Sequence, residues 1–281
     1  MDQSNKTHDF ARLHRDGCFV MPNPWDVGTA RYFQHCGFRA LGTTSAGLAF
    51  ANGLPDTPTA LDCEAVLAHI RQIVEATPLP VNADFQAGYA DTPAGVARNV
   101  ARCVATGVAG LSIEDASDDP TRPLFEISHA VERIAAARAA IDESGTNVVL
   151  TGRCEAWLFG VANPFEVAIE RLVRYAEAGA DCLYAPGVND LAQIRELVAA
   201  VAPKPLNLIV SSGAIGLRVS EIAELGVRRI SIGSGLARMA WGAVMRATRE
   251  LVADGRFDAF DEAASFAELD AIFTDDQRTA S

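Results

Sequence analysis

The sequence lacks the features that would place the protein in a membrane or on a nucleic acid. No apolar run in its 281 residues approaches the roughly 20 residues that span a bilayer. No hydrophobic signal segment follows the amino terminus. Acidic residues outnumber basic ones by 36 to 24, and the net charge is −12. We therefore expect a cytoplasmic protein with no nucleic-acid or membrane partner.

Clustered cysteines and histidines at strand ends are also missing. The six cysteines are scattered without a CxxC pair, so the sequence does not predict a structural zinc site. In a reducing compartment we expect them to be free thiols that pack as small hydrophobic residues. None of the five histidines ends a predicted strand. A histidine base or metal ligand is therefore not expected.

Short apolar runs alternate with segments of helical spacing along the chain. The predicted strands are 18–22, 39–45, 81–85, 110–113, 148–152, 181–185, 205–210 and 229–232. The predicted helices are 27–36, 60–76, 91–107, 127–142, 163–178, 188–201, 220–225 and 236–253. Eight such pairs, in a chain close to the roughly 250 residues of one barrel, predict an α/β protein with a (β/α)8 TIM-barrel fold.

The domain organisation follows from the absence of a linker. No Pro/Gly/Ser-rich stretch divides the chain, so residues 1–281 are predicted to form a single barrel domain. The barrel would cover about 17–254. A short extension would precede it, and a helical tail would follow at about 255–281.

Acidic residues recur where predicted strands end, which in a barrel is the active-site face. Asp84 and Glu114 follow two neighbouring strands, and Asp56 lies in the loop after the second strand. Three crowded carboxylates repel one another unless a cation offsets them, and oxygen donors suit Mg²⁺ or Mn²⁺. We expect Asp84 to be the direct ligand, with Asp56 and Glu114 holding metal-bound water. The alternative is that these acids cap helices or pair with arginines at the barrel rim.

An arginine and a run of small residues complete the predicted substrate site. Arg153 ends the fifth strand and could clamp a carboxylate through its bidentate fork, or could instead form a rim pair with Glu155. Ser45, Ala46 and Gly47 follow the second strand, and their backbone N–H groups could bind a substrate oxygen. A tight turn would explain the same residues. Ser45, Arg153 and Glu114 are the candidate catalytic residues.

Further residues at strand ends are candidates for substrate contact. Trp25 could form a wall of the pocket or pack between loops, and Asn207 lies near the end of the seventh strand. The run 233–235, Gly-Ser-Gly, lies where barrels often bind phosphate, although a simple turn would also use these glycines.

Seven ordered motifs resemble the isocitrate lyase/phosphoenolpyruvate mutase superfamily. They are PNPWDVGTAR at 22–31, TSAG at 44–47, GLPD at 53–56, VNADFQAGY at 81–89, IED at 113–115, RCEA at 153–156 and KPLN at 204–207. The resemblance implies a Mg²⁺-dependent barrel acting on 2-oxo acids or on related hydroxy acids. By motif, Asp84 matches the principal metal ligand, and Asp56 and Glu114 match its water-mediated partners.

The resemblance also implies substrate contacts and an assembly. Ser45, Ala46 and Gly47 match the contacts to the substrate carboxylate and oxygen, and Arg153 matches the anion-binding arginine. Members are commonly homotetramers whose subunits exchange the eighth barrel helix, here near 236–253.

Two departures from the pattern bear on the reaction. Gln86 stands where the family often has a second acid; it can hydrogen-bond a metal-bound water but adds no charge. The loop ASDDPTRPLF at 116–125 lacks the Lys-x-Cys-Gly-His signature of isocitrate and methylisocitrate lyases.

We therefore expect a Mg²⁺-dependent carbon–carbon lyase that acts on a small anionic 2-oxo dicarboxylic acid or a related hydroxy acid. The reaction would pass through a metal-stabilised enolate. Decarboxylation of oxaloacetate is one version of it. Carbon–phosphorus chemistry on phosphonopyruvate is the first alternative. A metabolite-binding barrel without turnover is the second.

Overall fold

The predicted alternation of strands and helices is present as a (β/α)8 barrel. The computed structural model describes residues 2–279, and the side chains of residues 2–274. Its strands are β1 Phe19–Met21, β2 Leu41–Gly42, β3 Val81–Asp84, β4 Gly110–Glu114, β5 Val149–Arg153, β6 Cys182–Tyr184, β7 Leu206–Ile209 and β8 Arg229–Ser231. They form one parallel sheet in the order β1-β8-β7-β6-β5-β4-β3-β2. The predicted fold class is confirmed.

Helices surround this sheet and bury one apolar face against it. They are α1 Gln3–Leu13, α2 Val27–His35, α3 Ser45–Ala51, α4 Cys63–Ala76, α5 Pro93–Val104, α6 Ile127–Glu143, α7 Pro164–Glu177, α8 Leu191–Val201, α9 Val219–Glu224, α10 Gly235–Asp254 and α11 Phe266–Thr279. Short 3₁₀ turns cover Gly213–Ile215 and Asp258–Glu262. The start of α5 shows why the boundaries were predictable: Thr92 accepts from the N–H of Gly95, and proline occupies the first turn.

The sheet closes into a barrel at the seam between β1 and β2. The N–H of Gly42 donates to the carbonyl of Pro22 at 3.0 Å, and Nδ2 of Asn23 donates to the carbonyl of Thr43 at 2.9 Å. A Cβ at Gly42 would lie 2.8 Å from Cε of Met21. A larger residue at this position would have to displace the ends of the Met21 and Asn23 side chains.

The second strand is shorter than predicted. The sequence predicts a strand over 39–45, but β2 ends at Gly42 and a helix begins at Ser45. Thr44 is the reason, because its hydroxyl accepts from the N–H of Gly47 at 3.2 Å and so caps α3. The run Ser45-Ala46-Gly47, predicted as the end of the strand followed by a tight turn or an anion-binding backbone, is thus the first turn of a helix.

A helix that the sequence did not predict closes the amino-terminal end of the barrel. Helix α1 buries Phe10 and Leu13 against Phe19 of β1. A Cβ at Gly110 of β4 would lie 2.5 Å from the Phe10 ring, so the barrel leaves room for this side chain only beside glycine. The segment was predicted as a mere extension because it is largely polar, with its apolar residues on one face.

The carboxyl-terminal part is helical, as predicted. Helix α10 ends at Gly255, which has φ of 66° and caps the helix in the left-handed conformation. Helix α11 follows, and its Ile272 is buried. No helix in residues 2–279 is long and apolar enough to cross a membrane. All six cysteines are free thiols, as predicted.

Candidate active site

A cavity of about 340 Å³ opens at the carboxyl ends of the strands. Asp56, Asp84 and Arg153 line it, together with Ser45 and Ala46 of the first turn of α3. Its floor reaches into the barrel, where the side chains are polar and buried: Asn82, Ser112, Asn207, Arg229 and Ser231. This is the face on which barrels carry their active sites.

Asp84 is held in place from two sides at the end of β3. Its Oδ2 accepts from the N–H of Ser45 at 2.9 Å and from the Ser45 hydroxyl at 2.8 Å. Its own N–H donates to Oγ1 of Thr43 at 2.9 Å. Because Ser45 begins α3, the carboxylate lies at a helix amino terminus, where unpaired N–H groups and the helix dipole stabilise negative charge. The sequence did not predict this contact between two of its own candidates.

Arg153 lies among three carboxylates at the end of β5. Its Nη1 is 3.3 Å from Oδ1 of Asp84 and 3.1 Å from Oε2 of Glu114. Its Nε and Nη2 form a bidentate pair with Glu155, with Nη2 at 3.1 Å from Oε2. Both alternatives for Arg153 are therefore true. Arg153 pairs with Glu155, and this pair belongs to the site. Arg153 lines the cavity, and its role as the clamp of a substrate carboxylate stays a prediction.

Negative charge exceeds positive charge in this cluster. Three carboxylates pair with one guanidinium, and Asp56, which lines the same cavity, is influenced by the charges of Asp84 and Arg153. Burial raises the pKa of Glu114 well above its usual value, with Arg153 acting in the opposite direction. Burial likewise raises the pKa of Glu155 and of Asp56, and the charge of Asp84 raises that of Asp56 further. The ionised state of the cluster therefore calls for additional positive charge.

The donor set is chemically suited to a hard divalent cation. Its ligand atoms are carboxylate oxygens, which Mg²⁺ and Mn²⁺ prefer. Within residues 2–274, no three His, Cys, Asp or Glu side chains lie close enough together to hold a metal ion unaided. Mg²⁺ does not need such a cage, because it usually keeps several waters and binds one or two carboxylates directly. The residues present fit an ion of that kind.

The remaining predicted residues divide into two groups. Ala46 and Asn207 line the cavity, but both ends of the Asn207 amide bind protein groups: Nδ2 donates to Ser231 at 2.9 Å and Oδ1 accepts from Arg229 at 2.8 Å. Trp25, Gly47, Gln86 and Glu114 are not among the residues that line the cavity in the described chain. Glu114 is connected to the cavity through its ion pair with Arg153, which does line it.

Trp25 and Gln86 have other structural roles. Trp25 is partly buried and packs against the core, and its Cβ lies 3.1 Å from the position of a Cβ at Gly47. Gln86 turns the chain after β3 with φ of 43°, and its carbonyl accepts from the N–H of Glu114 at 3.0 Å. The packing alternative for Trp25 is therefore the one that the structure shows.

A buried layer behind the cluster was not predicted. Oδ1 of Asp115 accepts from the N–H of Glu155 at 2.8 Å, and Oδ2 accepts from Arg171 at 3.0 Å and from the Tyr175 hydroxyl at 2.7 Å. Arg171 also donates to the carbonyl of Phe125 at 2.8 Å. The layer thus fixes Phe125 in the loop after β4 and supports Glu155, the partner of Arg153. Asp115, the acid that follows Glu114, was the feature of the sequence that could have indicated this layer.

Two asparagines on the inner barrel wall were also missed as site residues. Oδ1 of Asn82 has no hydrogen-bond partner within the described part of the chain, although it is buried in the cavity floor. Oδ1 of Asn23 accepts from the N–H groups of Ile232 and Gly233 at 2.9 and 2.8 Å. In the sequence, each of these asparagines lies within or just after an apolar run. A polar side chain at such a position is the feature that could have identified them.

The fold and the site together define a TIM-barrel enzyme whose acidic centre lies at the carboxyl ends of β3 to β5. The chain belongs to the phosphoenolpyruvate phosphomutase family, whose model matches residues 10–252. The superfamily predicted from the motifs is thereby confirmed, and with it an enzyme of the isocitrate lyase/PEP mutase type.

Similar sequences carry several activities. The chain is 32% identical over 269 residues to uncharacterized protein Rv1998c of Mycobacterium tuberculosis, covering 95% of this chain and 96% of that one. It is 32% identical to 2-methylisocitrate lyase of Escherichia coli, covering 67% and 64% of the two chains. It is 30% identical to oxaloacetate decarboxylase of Rhodopseudomonas palustris, covering 79% and 75%.

Solved structures share the fold over nearly the whole chain. One from Burkholderia cenocepacia J2315, provisionally described as a lyase/mutase, has a TM-score of 0.91 and 42% identity, covering 96% of both chains. Oxaloacetate acetylhydrolase in complex with the product oxalate has a TM-score of 0.85 and 25% identity, covering 96% of this chain and 94% of that one.

Proposed function

We propose that the protein is a Mg²⁺-dependent lyase that cleaves a carbon–carbon bond in a small 2-oxo dicarboxylic acid or a related hydroxy acid. The observation that carries the proposal is the group of three carboxylates paired with a single guanidinium at the barrel mouth, with Asp56 lining the same cavity. Similar proteins named for oxaloacetate chemistry support this substrate class. Decarboxylation of oxaloacetate is one concrete form of the reaction.

The protein's own residues would bind the ion and orient the substrate. Asp84 would be the direct ligand, with Asp56 and Glu114 holding the ion's water. When bound, the ion polarises the 2-oxo group and stabilises the charge that develops as the bond breaks. The first turn of α3 would add backbone N–H donors at Ala46, since the first N–H groups of a helix lack partners within it. Arg153 would supply fixed positive charge beside the reacting group.

Two observations favour carbon–carbon chemistry on a small acid over the related reactions. The N–H groups of Ile232 and Gly233 donate to Asn23 and that of Gly235 donates to Ile232, so most of the N–H groups at the glycine run 233–235 already have protein partners. The loop 116–125 lacks the Lys-x-Cys-Gly-His signature and is paired with itself through the bridge Ala116–Leu124. Both observations support a small carbon acid as the substrate.

A substrate panel tests the proposal. Oxaloacetate, substituted malates and phosphonopyruvate are each incubated with Mg²⁺ and, in parallel, with a chelator. We expect consumption of a carbon substrate with Mg²⁺ and its loss with chelator. If only phosphonopyruvate is consumed, the protein acts on a carbon–phosphorus bond and the proposal is wrong. Tight binding of oxalate with Mg²⁺, without turnover of any acid, would make it a metabolite-binding barrel.

We also propose that the protein assembles as a homo-oligomer through α10. The helix is 20 residues long, and Gly235 and Ala237 are its buried residues. Trp241, Val244 and Met245 of the same helix are between 44% and 52% exposed. A contiguous apolar face of this kind is typical of a protein–protein interface. The expected partner is a second copy of the chain, as the superfamily resemblance implies for its eighth helix.

A further inference from the structure

A second cavity, which we call the amino-end cavity, lies on the face of the barrel opposite the active site. Its volume is about 1050 Å³. It is lined where strands β5 to β8 begin, by Asn147, Asp181, the run 202–205 and Arg228, and α1 with the segment after it lines one side. In the described chain, none of its lining residues also lines the active-site cavity. A ligand bound here would therefore occupy a separate site.

The amino-end cavity has an excess of positive charge, although the protein as a whole has a net charge of −12. Its permanent cations are Arg15, Arg138, Lys204 and Arg228. The carboxylates among the described lining residues are those of Asp142 and Asp181. The positive charge is thus a local feature of this face, opposite in sign to the composition of the chain.

The two carboxylates are already paired with two of these cations. Arg138 lies 2.9 Å from Oδ1 of Asp142 and 3.0 Å from Oδ2 of Asp181. Lys204 lies 4.0 Å from Oδ1 of Asp181, whose Oδ2 also accepts from the N–H of Leu150 at 2.9 Å. These pairs offset the charges of Arg138 and Lys204, and they leave the other two cations without a carboxylate.

The two remaining cations, Arg15 and Arg228, are exposed. No hydrogen bond or ion pair joins either guanidinium to another residue in the part of the chain that the structure describes. Arg15 lies just before β1, and the N–H of Phe19 in β1 donates to the carbonyl of Arg228 at 3.1 Å. The charge of Arg228 also opposes the rise that burial causes in the pKa of Cys18, which lies between Arg15 and β1. Two unpaired guanidinium groups therefore line the same side of the cavity.

The buried histidine of the cavity adds no charge. Nδ1 of His14 lies 2.7 Å from the carbonyl of Phe10, and its Nε2 lies 3.3 Å from Nη1 of Arg229. Burial and the charge of Arg229 lower the pKa of His14 to about 3, so the ring is neutral near pH 7. Recognition of an anion would therefore depend on Arg15 and Arg228.

The cavity also offers a surface for the carbon part of a ligand. Its lining includes apolar side chains: Val148, Val149, Val198, Pro203 and Pro205. The volume of about 1050 Å³ lies at the upper end of the roughly 300–1,000 Å³ that small-molecule sites occupy. A single inorganic oxyanion would leave most of this space unused.

We propose that the amino-end cavity binds a small organic polyanion, whose charged groups lie at Arg15 and Arg228 and whose carbon skeleton lies along the apolar side chains. Guanidinium binds phosphate and carboxylate in the same bidentate geometry, so either group supplies the shared chemistry. The inference goes beyond the proposed function and does not depend on it, because the site is on the other face of the barrel.

Calorimetry on the full chain in EDTA tests the proposal, because no divalent ion is then present to hold an anion at the active site. The probes are fructose 1,6-bisphosphate, citrate and, as the uncharged control, fructose. We expect one molecule of the bisphosphate or of citrate to bind per chain, with an affinity that falls as the salt concentration rises. Fructose should not bind. The anion that binds more tightly identifies phosphate or carboxylate as the preferred charged group.

Two variants test the assignment to the cavity. Arg15→Gln and Arg228→Gln should each weaken binding at least about tenfold, which corresponds to ~1.4 kcal/mol for a hydrogen bond to a charged group. Both side chains are exposed, so thermal melts should show folded proteins. Arg71→Gln on α4 and Arg98→Gln on α5 are the matched controls, since each removes one exposed arginine outside the cavity. These controls should bind the anion as wild type does.

The inference is overturned if neither anion binds, or if fructose binds as tightly as the anions. Equal affinities of wild type, Arg15→Gln and Arg228→Gln overturn it as well. An equal loss in the two control variants would show that the anion responds to the overall charge and that no built site exists. The binding is measured without Mg²⁺ and without turnover, so these outcomes are distinguishable from failure of the proposed lyase activity.

Discussion

At the scale of single residues, Asp84 combines a structural contact with the expected metal contact. Its Oδ2 accepts two hydrogen bonds from Ser45, while Oδ1 lies 3.3 Å from Arg153. An asparagine keeps an oxygen that can accept from Ser45 but removes the negative charge. Asp84→Asn therefore separates the two roles better than a truncation to alanine.

We predict that Asp84→Asn lowers kcat/KM by at least about a hundredfold and weakens Mg²⁺ binding, with little change in Tm. Steady-state kinetics at several Mg²⁺ concentrations and a thermal melt measure these effects. Asp62→Asn is the matched control, because Asp62 caps α4 outside the cavity and asparagine caps a helix equally well. Near-normal turnover by Asp84→Asn would remove the metal assignment.

Arg153 is predicted to stabilise the fold through its charge and its shape. Arg153→Gln leaves Asp84, Glu114 and Glu155 without their cation and should lower the free energy of unfolding by about 3–5 kcal/mol. Arg153→Lys keeps the charge but loses the bidentate pair, so about 1.5–3 kcal/mol is expected. Urea unfolding with and without Mg²⁺ measures both losses.

Added Mg²⁺ should restore part of the stability of Arg153→Gln, because a divalent cation supplies the missing positive charge. Asp84→Asn in the same background is the control, since it removes the expected direct ligand. Equal stability of wild type and both arginine variants would show that the ion pairs contribute nothing. Failure of Mg²⁺ to stabilise any variant would argue against an ion at this site.

At the scale of elements, the docking of α1 depends on a neutral histidine. His14 lies just beyond the helix and is buried, with Nδ1 at 2.7 Å from the carbonyl of Phe10 and Nε2 at 3.3 Å from Arg229. Since the carbonyl needs a donor and Arg229 is a donor, the hydrogen-bond network assigns the proton to Nδ1. Burial, with the charge of Arg229, lowers the pKa of His14 to about 3.

This pKa makes the stability contributed by His14 depend on pH. The unfolded chain takes up a proton below about pH 6.5, whereas the folded chain resists it down to about pH 3. Stability is therefore fully present above about 6.5 and falls by about 1.4 kcal/mol per pH unit on acidification within this window. Urea unfolding from pH 4 to 8 should show a smaller loss of stability on acidification in His14→Gln than in wild type, while the contribution of the buried His69, whose pKa burial lowers to about 4, remains in both.

The quantity that reports on His14 is the difference in pH dependence of stability between wild type and His14→Gln. The carboxyl cluster has raised pKa values and contributes an opposite slope in both proteins, since folding there binds protons. His8→Gln, at an exposed position on α1, should retain the wild-type slope. An identical pH dependence in wild type and His14→Gln would show that the buried histidine is not coupled to folding.

At the scale of the whole molecule, the exposed face of α10 predicts an assembly. Light scattering should give a mass that is a multiple of 29.8 kDa, with four copies expected. Trp241→Glu places a charge in the centre of the apolar face and should shift the mass towards one copy. Val219→Glu, at an exposed apolar residue of α9, should leave the mass unchanged. A monomeric wild type at micromolar concentration would contradict the proposed assembly.

The sequence by itself determined the alternation of strands and helices and the residues that stand at strand ends. These features depend on periodicity and on short-range hydrogen bonds, such as the Thr92 cap that starts α5. The parallel sheet then brings Asp84, Glu114 and Arg153 to one edge. That is why the acidic centre could be predicted without knowing any distance.

The tertiary structure alone decided which of these groups touch. Ser45 and Asp84 are separated by 39 residues, Asp84 and Arg153 by 69, and His14 and Arg229 by 215. Such pairs form only when the barrel closes, and the chain between them leaves no local signal of the pairing. The pairing of the Arg153 fork with Glu155 and the packing of Trp25 against the core both depend on that closure.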